Sequence, residues 1–381
     1  MEMMIVAGEA SGDAHAAELM AELRRRRPDL HFFGCGGERM AAAGCEILVS
    51  SAELGLVGLF EVLAHLPRVY GLLRRLRQAL RQRRPAAVIL VDFPDFNLRL
   101  ARTAHRCHIP AIYFISPQLW AWRSGRVKLI RRTIRRMICI FPFESDFYAR
   151  HGIEVAAVGH PLVDRIAHTC LPDADAFRRQ LGVDEASTLI ALLPGSRRRE
   201  IHFHLATMLE AAARLRAGRD IAFVLPVAPA LAIAELRAAI PPALRASIHL
   251  VDSSQTYAAL THARLAVVAS GTATVETALI GTPMVVIYRL SSWTYRLGRR
   301  WVRTPHYAMV NLIAGKAVVP ELIQDRFEAS AIVNWANKLL PDGSERDQMR
   351  RDLQTVRLRL GEPGAIQRAA TAVEQALALA T

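Results

Sequence analysis

The chain is nearly without lysine. Of its 49 Lys and Arg residues only Lys128, Lys316 and Lys338 are lysine, so the formal charge of +14 is an arginine charge. Such an excess points to an anionic partner, whether a phosphate-bearing substrate, a membrane surface or nucleic acid. Cysteine is sparse too: Cys35, Cys45, Cys107, Cys139 and Cys170 are scattered, without a C-x-x-C pair or a His/Cys pair at zinc spacing. That excludes a zinc ribbon and leaves reduced thiols as the plain expectation. No uninterrupted apolar run reaches the roughly 18 residues a bilayer-crossing helix needs, so any membrane association is expected to be peripheral. The N-terminus enters a strand pattern directly, without the basic stub, apolar core and cleavage site of a signal peptide. Low-complexity segments and short solenoid repeats are missing as well.

What is present is alternation. With 381 residues and 52% hydrophobic content the chain can bury two cores of ordinary size. Apolar runs predict strands at Met3 to Ala7, Leu30 to Gly34, Ala87 to Val91, Ala111 to Ile115, Met137 to Phe141 and Val155 to Val158. The same grammar restarts at Thr188 to Leu193, Ile221 to Pro226, Ile248 to Val251, Leu265 to Ala269 and Met284 to Tyr288. Helical patterns separate most of these runs, the mark of parallel sheets covered on both faces. The fold class predicted is α/β, with two doubly wound Rossmann-like domains facing across a cleft. The predicted divisions are 1–165, 166–345 and a C-terminal helical segment, 346–381, packing back on the first domain of its own or a partner chain. Ligands of such sheets bind at the carboxyl ends of strands.

The candidate chemistry lies at those ends. Gly8, Glu9, Ala10, Ser11, Gly12 and Asp13 form a glycine turn before a helix expected from Ala14, where unpaired N–H groups would meet an anion or a sugar. The dinucleotide fingerprint G-x-G-x-x-G is absent there. Asp92 and Asp95 follow a buried strand; a desolvated carboxylate at Asp92 suits a general base, while Asp95 either assists or starts the helix expected near Asn97. Ser116, Trp120 and Trp122 form either a sugar platform or core aromatics. Glu144 either caps its helix or bonds a hydroxyl.

In the second half Gly195, Ser196 and Arg197 read as a diphosphate clamp, and Ser270, Gly271 and Thr272 as a second phosphate turn. Glu276, one helical turn on, would hold the vicinal hydroxyls of a ribose. No lysine follows these glycines, which excludes a nucleotide-hydrolysing phosphate loop, and no D-x-D pair accompanies them, so no metal is required. Leu59, Phe60, Val62, Leu63 and Leu66, followed by an arginine-rich helix with Tyr70, Leu73, Leu76 and Leu80, suit either a lipid surface or a sheet-covering helix. The basic aromatic stretch Trp293 to Arg303 carries the same two readings. The arginines are spread over helices without a nucleic-acid module, so no nucleic-acid partner is expected.

Taken in order, GEASGD at 8–13, DFPDFN at 92–97, SPQLWAW at 116–122, PFE at 142–144, GHPLVD at 159–164, LLPGSR at 192–197, SGTATVE at 270–276, PMVVIY at 283–288 and PELIQ at 320–324 resemble the lipid-A-disaccharide synthase family along almost the whole chain. The resemblance implies a GT-B glycosyltransferase that joins UDP-2,3-diacylglucosamine to 2,3-diacylglucosamine 1-phosphate through a β-1,6 linkage and releases UDP. It implies inversion, no metal and no cofactor, a place on the inner face of the inner membrane of a Gram-negative bacterium, and a homodimer. On resemblance alone Asn311 and Gln324 become donor contacts, and Val310 stands where the family commonly has proline. The lipid substrates favour the membrane reading of 54–73, and Gly8, Glu9, Ser11 and Gly12 move to the acceptor side.

Overall fold

The structure is a computed structural model in which residues 1–55, 62–117, 119, 124–291 and 306–378 are described. It divides into two compact units, Met1–Asp164 with Leu360–Thr381, and Arg165–Arg359.

In the first unit the strands are β1 (Glu2–Ala7), β2 (His31–Gly36), β3 (Cys45–Ser50), β4 (Val88–Val91), β5 (Ala111–Phe114), β6 (Arg136–Cys139) and β7 (Val155–Ala157), ordered β3-β2-β1-β4-β5-β6-β7. Every pairing is parallel. The strand order reverses between β1 and β4, and at such a switch point the loops part and leave room for a ligand at the carboxyl ends. Val88, Ile89, Leu90 and Val91 are all fully buried, which is why β4 reads as an unbroken apolar run.

The second unit repeats the plan with β8 (Thr188–Leu193), β9 (Ile221–Val227), β10 (Ile248–Asp252), β11 (Leu265–Ala269), β12 (Met284–Tyr288) and β13 (Glu321–Ile323), ordered β10-β9-β8-β11-β12-β13 and again parallel throughout. Its switch point lies between β8 and β11.

Three expectations need correction. The first helix starts at Ala10, with Glu9 at its N-cap, so Ser11 and Gly12 belong to the helix and the turn shrinks to Gly8 and Glu9. The C-terminal segment does not return to the first unit as a whole. The helix Ser344–Arg359 buries Met349, Leu353 and Val356 within the second unit; its Arg346 donates to the carbonyls of Arg264 and Leu339 at 2.7 and 3.0 Å. Only the helix Ala365–Ala378 packs on the first helix, held at its start by Asp164, which accepts from the Gly364 and Ile366 amides. Finally, the arginine-rich helix Val62–Arg83 is a sheet cover along its second half, since Leu72, Leu73, Leu76 and Leu80 are buried in the core of the first unit. Tyr70 stays 49% exposed. Leu59 and Phe60 lie outside the described residues, as do Trp120, Trp122 and all of the 293–303 stretch; Val62, Leu63 and Leu66 fall in the first two turns of that helix.

Candidate active site

Two constellations form, one at the carboxyl end of each sheet. In the first unit the backbone itself is unusual. Asp92 and Phe93 sit consecutively in the left-handed region, at φ of 47° and 46°, and the β-branched Ile115 at the end of β5 does the same at 65°. Each such residue costs about 1–3 kcal/mol and persists only where the surroundings enforce it. Here Asn97 Nδ2 donates to the carbonyls of Asp92 at 2.7 Å and Val91 at 3.1 Å, and Tyr113 Oη donates to the Asp92 carbonyl at 2.5 Å. Pro94 occupies the first helical turn, where its fixed φ and missing N–H are tolerated. The strand is thus stopped abruptly, and the Asp92 carboxylate is presented at the switch point.

Its electrostatics match that position. Burial, and then the charge of Glu9, push the Asp92 carboxyl up from 3.8 to about 6. Glu144 is 1% exposed, and burial raises it to about 8 although it accepts from the amides of Ile140 at 3.2 Å and Phe141 at 3.0 Å. Of its two sequence readings, the helix cap is thereby observed. Ser116 is also buried, with Oγ 2.9 Å from Tyr148 Oη. Asp95 is exposed, pairs with Arg126, and stands in the first turn of a helix that begins at Pro94 rather than near Asn97. Because burial favours the neutral form of Glu144, Glu144→Gln should leave thermal stability and turnover near wild type. Glu144→Ala should cost about 1–3 kcal/mol by stranding two buried amides, as read by urea unfolding.

The opening glycine has a different role from the one its motif suggests. A Cβ on Gly8 would lie 2.4 Å from the Phe93 ring; the close approach is by that side chain, which the strained Asp92–Phe93 backbone drives against β1. Asp13 accepts from the amides of Gly37, Arg39 and Met40 at 2.6, 3.1 and 3.3 Å and joins the first helix to the loop after β2.

In the second unit Gly195 follows β8 at φ of 124°, and a Cβ there would fall 2.4 Å from Glu200 Oε2. That carboxylate accepts from the amides of Ser196 at 2.8 Å and Arg197 at 3.2 Å. The main-chain donors expected for a phosphate are therefore taken by Glu200, and the turn's contribution to an anion falls to the exposed Arg197 side chain. Arg198 points elsewhere, to Glu235 at 3.0 Å. After β11, Gly271 and Thr272 are exposed at the start of the helix Thr272–Ile280. The Ser270 amide belongs to the sheet, donating to Ile287, while its hydroxyl donates to the Tyr307 carbonyl at 3.3 Å. Glu276 Oε1 accepts from Tyr257 Oη at 2.9 Å, and burial raises its carboxyl. Tyr257 was not singled out from sequence; only the fold brings its helix beside Glu276.

Asn311 and Gln324 require revision. Asn311 is 1% exposed. Its Oδ1 accepts from the amides of Val318 and Val319 at 2.8 and 3.0 Å, and its Nδ2 donates to the Val319 carbonyl at 3.0 Å and Glu321 at 2.8 Å. All four of its hydrogen-bonding positions are spent, so it scaffolds the chain before β13 rather than reaching a ligand. Val310 lies in the first turn of the helix Met309–Ala314, where proline is equally accommodated, so the departure leaves the helix start intact. Gln324, at φ of 55°, pairs through its amide with both main-chain groups of Leu290, at 2.5 and 3.1 Å.

This geometry, two doubly wound units each with polar chemistry at its switch point, can be set beside known proteins. The family model described as lipid-A-disaccharide synthetase matches residues 3–376. The chain belongs to the lipid-A-disaccharide synthase family. A synthase of that name from Solibacter usitatus is 43% identical over 377 residues, covering 99% of this chain and 97% of the relative. One from Myxococcus xanthus is 44% identical over 377 residues, covering 98% and 97%. Among solved structures, UDP-GlcNAc 2-epimerase from Neisseria meningitidis bound to UDP-GlcNAc superposes with a TM-score of 0.65 at 13% identity, covering 98% of this chain and 100% of the other. The calicheamicin glycosyltransferase CalG4 gives 0.64 at 18%, covering 99% and 98%. These likenesses establish the two-domain parallel α/β fold of GT-B glycosyltransferases for the synthase family member described above.

Proposed function

We propose that the chain performs its family's reaction, condensing UDP-2,3-diacylglucosamine with 2,3-diacylglucosamine 1-phosphate to give the β-1,6-linked disaccharide 1-phosphate and UDP, with Asp92 as the base. The observation that carries the assignment is the strained, doubly tethered Asp92–Phe93 corner at the first switch point. Inversion is one displacement: the acceptor hydroxyl attacks the anomeric carbon as the bond to UDP breaks, and one carboxylate must take the hydroxyl proton. A group near pH 6 is ionised at neutral pH yet basic enough to do so. The Asn97 and Tyr113 hydrogen bonds keep it from relaxing away from the acceptor. On this reading Gly8, Glu9, Ser11, Gly12, Ser116 and Glu144 serve the acceptor, Trp120 and Trp122 join them by the family resemblance alone, and Asp95 is held by its ion pair with Arg126.

The leaving UDP falls to the second unit. Arg197 supplies the planar donor pair for the diphosphate, Ser270, Gly271 and Thr272 supply a hydroxyl and a helix N-terminus, and Glu276, already oriented by Tyr257, takes the ribose hydroxyls. Calorimetry with UDP tests this half. Arg197→Ala should weaken binding roughly 10–100-fold, the range of a lost charge-assisted contact; unchanged affinity would remove Arg197 from the site.

The acylated substrates place the protein peripherally on the inner face of the inner membrane, with 59–66 as the apolar contact. Among the described residues no helix is long and apolar enough to cross a membrane. Serine at Leu59, Phe60, Val62, Leu63 and Leu66 should shift the protein from sedimenting vesicles to the supernatant while its thermal melt stays in place. A collapsed melt would instead make these residues core.

A further inference from the structure

His204 is completely buried in the helix Arg198–Arg216, and it touches no group to which the reaction assigns a role. Its two ring nitrogens nevertheless bridge two loops. Nδ1 lies 2.7 Å from the carbonyl of Pro194, immediately before Gly195. Nε2 lies 2.9 Å from the main-chain nitrogen of Arg289, immediately after β12. An amide N–H only donates, so Nε2 is the bare acceptor; Nδ1 therefore carries the proton and donates to Pro194. The ring lies between Tyr288 and Phe327, with centroids 5.4 and 5.7 Å away. Arg289 continues the chain of contacts: its guanidinium stacks over Phe327 at 4.8 Å and donates to the Phe327 carbonyl, while Leu290 next to it is gripped by Gln324.

We infer that His204 is a positioning residue for the donor site, a neutral imidazole that locks the Pro194–Arg197 turn to the Arg289–Leu290 segment and so fixes the point from which Arg197 reaches a diphosphate. The proposal rests on the reading of Arg197 as a diphosphate ligand. The charged groups nearest the ring are Glu200 and Arg289, and burial outweighs them, holding the imidazole below its ordinary value and hence uncharged. Protonation would replace the acceptor at Nε2 with a donor facing the Arg289 N–H, so only the neutral ring fits.

The test compares UDP affinity and donor KM in four proteins. His204→Phe keeps a flat aromatic ring, slightly larger than the imidazole, and removes both hydrogen bonds; it should weaken UDP about tenfold and raise the donor KM with the acceptor KM unchanged. His204→Asn, whose amide can still donate to Pro194, should recover part of that loss. Arg197→Ala is the control: if UDP affinity is indifferent to it, the donor reading fails. If Arg197→Ala weakens UDP while folded His204→Phe does not, the positioning role alone fails. Should His204→Phe not fold, nitrogen NMR of the wild-type histidines decides. The expected signature is an Nδ1–H tautomer at neutral pH whose resonances shift on adding UDP. An Nε2–H tautomer, an imidazolium, or resonances unmoved by UDP would overturn it.

Discussion

Asp92→Asn is expected to lower turnover by roughly 10²–10⁴-fold, the range for loss of a general base, while UDP affinity stays at the wild-type level. The same substitution should stabilise the protein. In the fold the Asp92 carboxyl titrates near 6 rather than 3.8, so protonated Asp92 favours the folded state. That contribution is complete below the unfolded value, declines as pH rises through about 6, and is gone at neutral pH. The displacement corresponds to about 3 kcal/mol. Asparagine resembles the protonated form at every pH, so the variant should gain up to about that amount at pH 7 and almost nothing at pH 4. Wild-type kcat/KM should accordingly rise with pH to a plateau above about 6, and the residual rate of the variant should lack that limb. A merely structural Asp92 would give a variant that loses stability and activity together.

Asn311→Ala should be the most destabilising of the substitutions considered in the second unit. It strands the amides of Val318 and Val319, the Val319 carbonyl and one hydrogen bond of Glu321, and a buried polar group left alone costs about 1–3 kcal/mol. Partial relaxation leaves an expected loss of about 3–5 kcal/mol, near 10 °C in the melting temperature for a unit of this size. Asn311→Asp should fare little better, because it sets a carboxylate oxygen against the Val319 carbonyl and Glu321. If Asn311→Ala instead melts like wild type and loses only UDP affinity, the residue contacts the ligand after all.

The contrast between these two residues shows what a linear reading can see. Asp92 was legible because a carboxylate directly after a fully apolar strand is a local pattern, and the strands themselves were legible because central parallel strands are buried on both faces. The two strands that escaped notice, β3 and β13, are sheet edges. The first carries an exposed Glu46 that leaves only the three-residue apolar run Ile47 to Val49, and the second has only three residues, so neither makes a long apolar run. The position of the first helix's start was obscured by Gly12, which reads as a turn although it sits inside the helix, where even an added Cβ would meet Ala7 and Val91 only at ordinary van der Waals distance.

The site's rigidity was hidden for a different reason. Asn97 tethers Asp92 from only five residues on, but nothing local marks Tyr113 as the second tether, since it lies on β5 and reaches the Asp92 carbonyl only when β4 and β5 pair. Glu200 likewise reads as an ordinary first-turn acid until Gly195 folds against it. Family motifs singled out Asn311 and Gln324, and both fall in the second unit, but a motif does not say whether an amide faces a ligand or its own backbone.

The most direct test of the whole account is to supply the purified chain with UDP-2,3-diacylglucosamine and 2,3-diacylglucosamine 1-phosphate, and in parallel with the unacylated sugars, and to measure disaccharide by thin-layer separation. The account predicts an acylated β-1,6 disaccharide with one UDP released per linkage, and little product from the unacylated pair. Equal use of both pairs, or UDP release without a disaccharide, would contradict it.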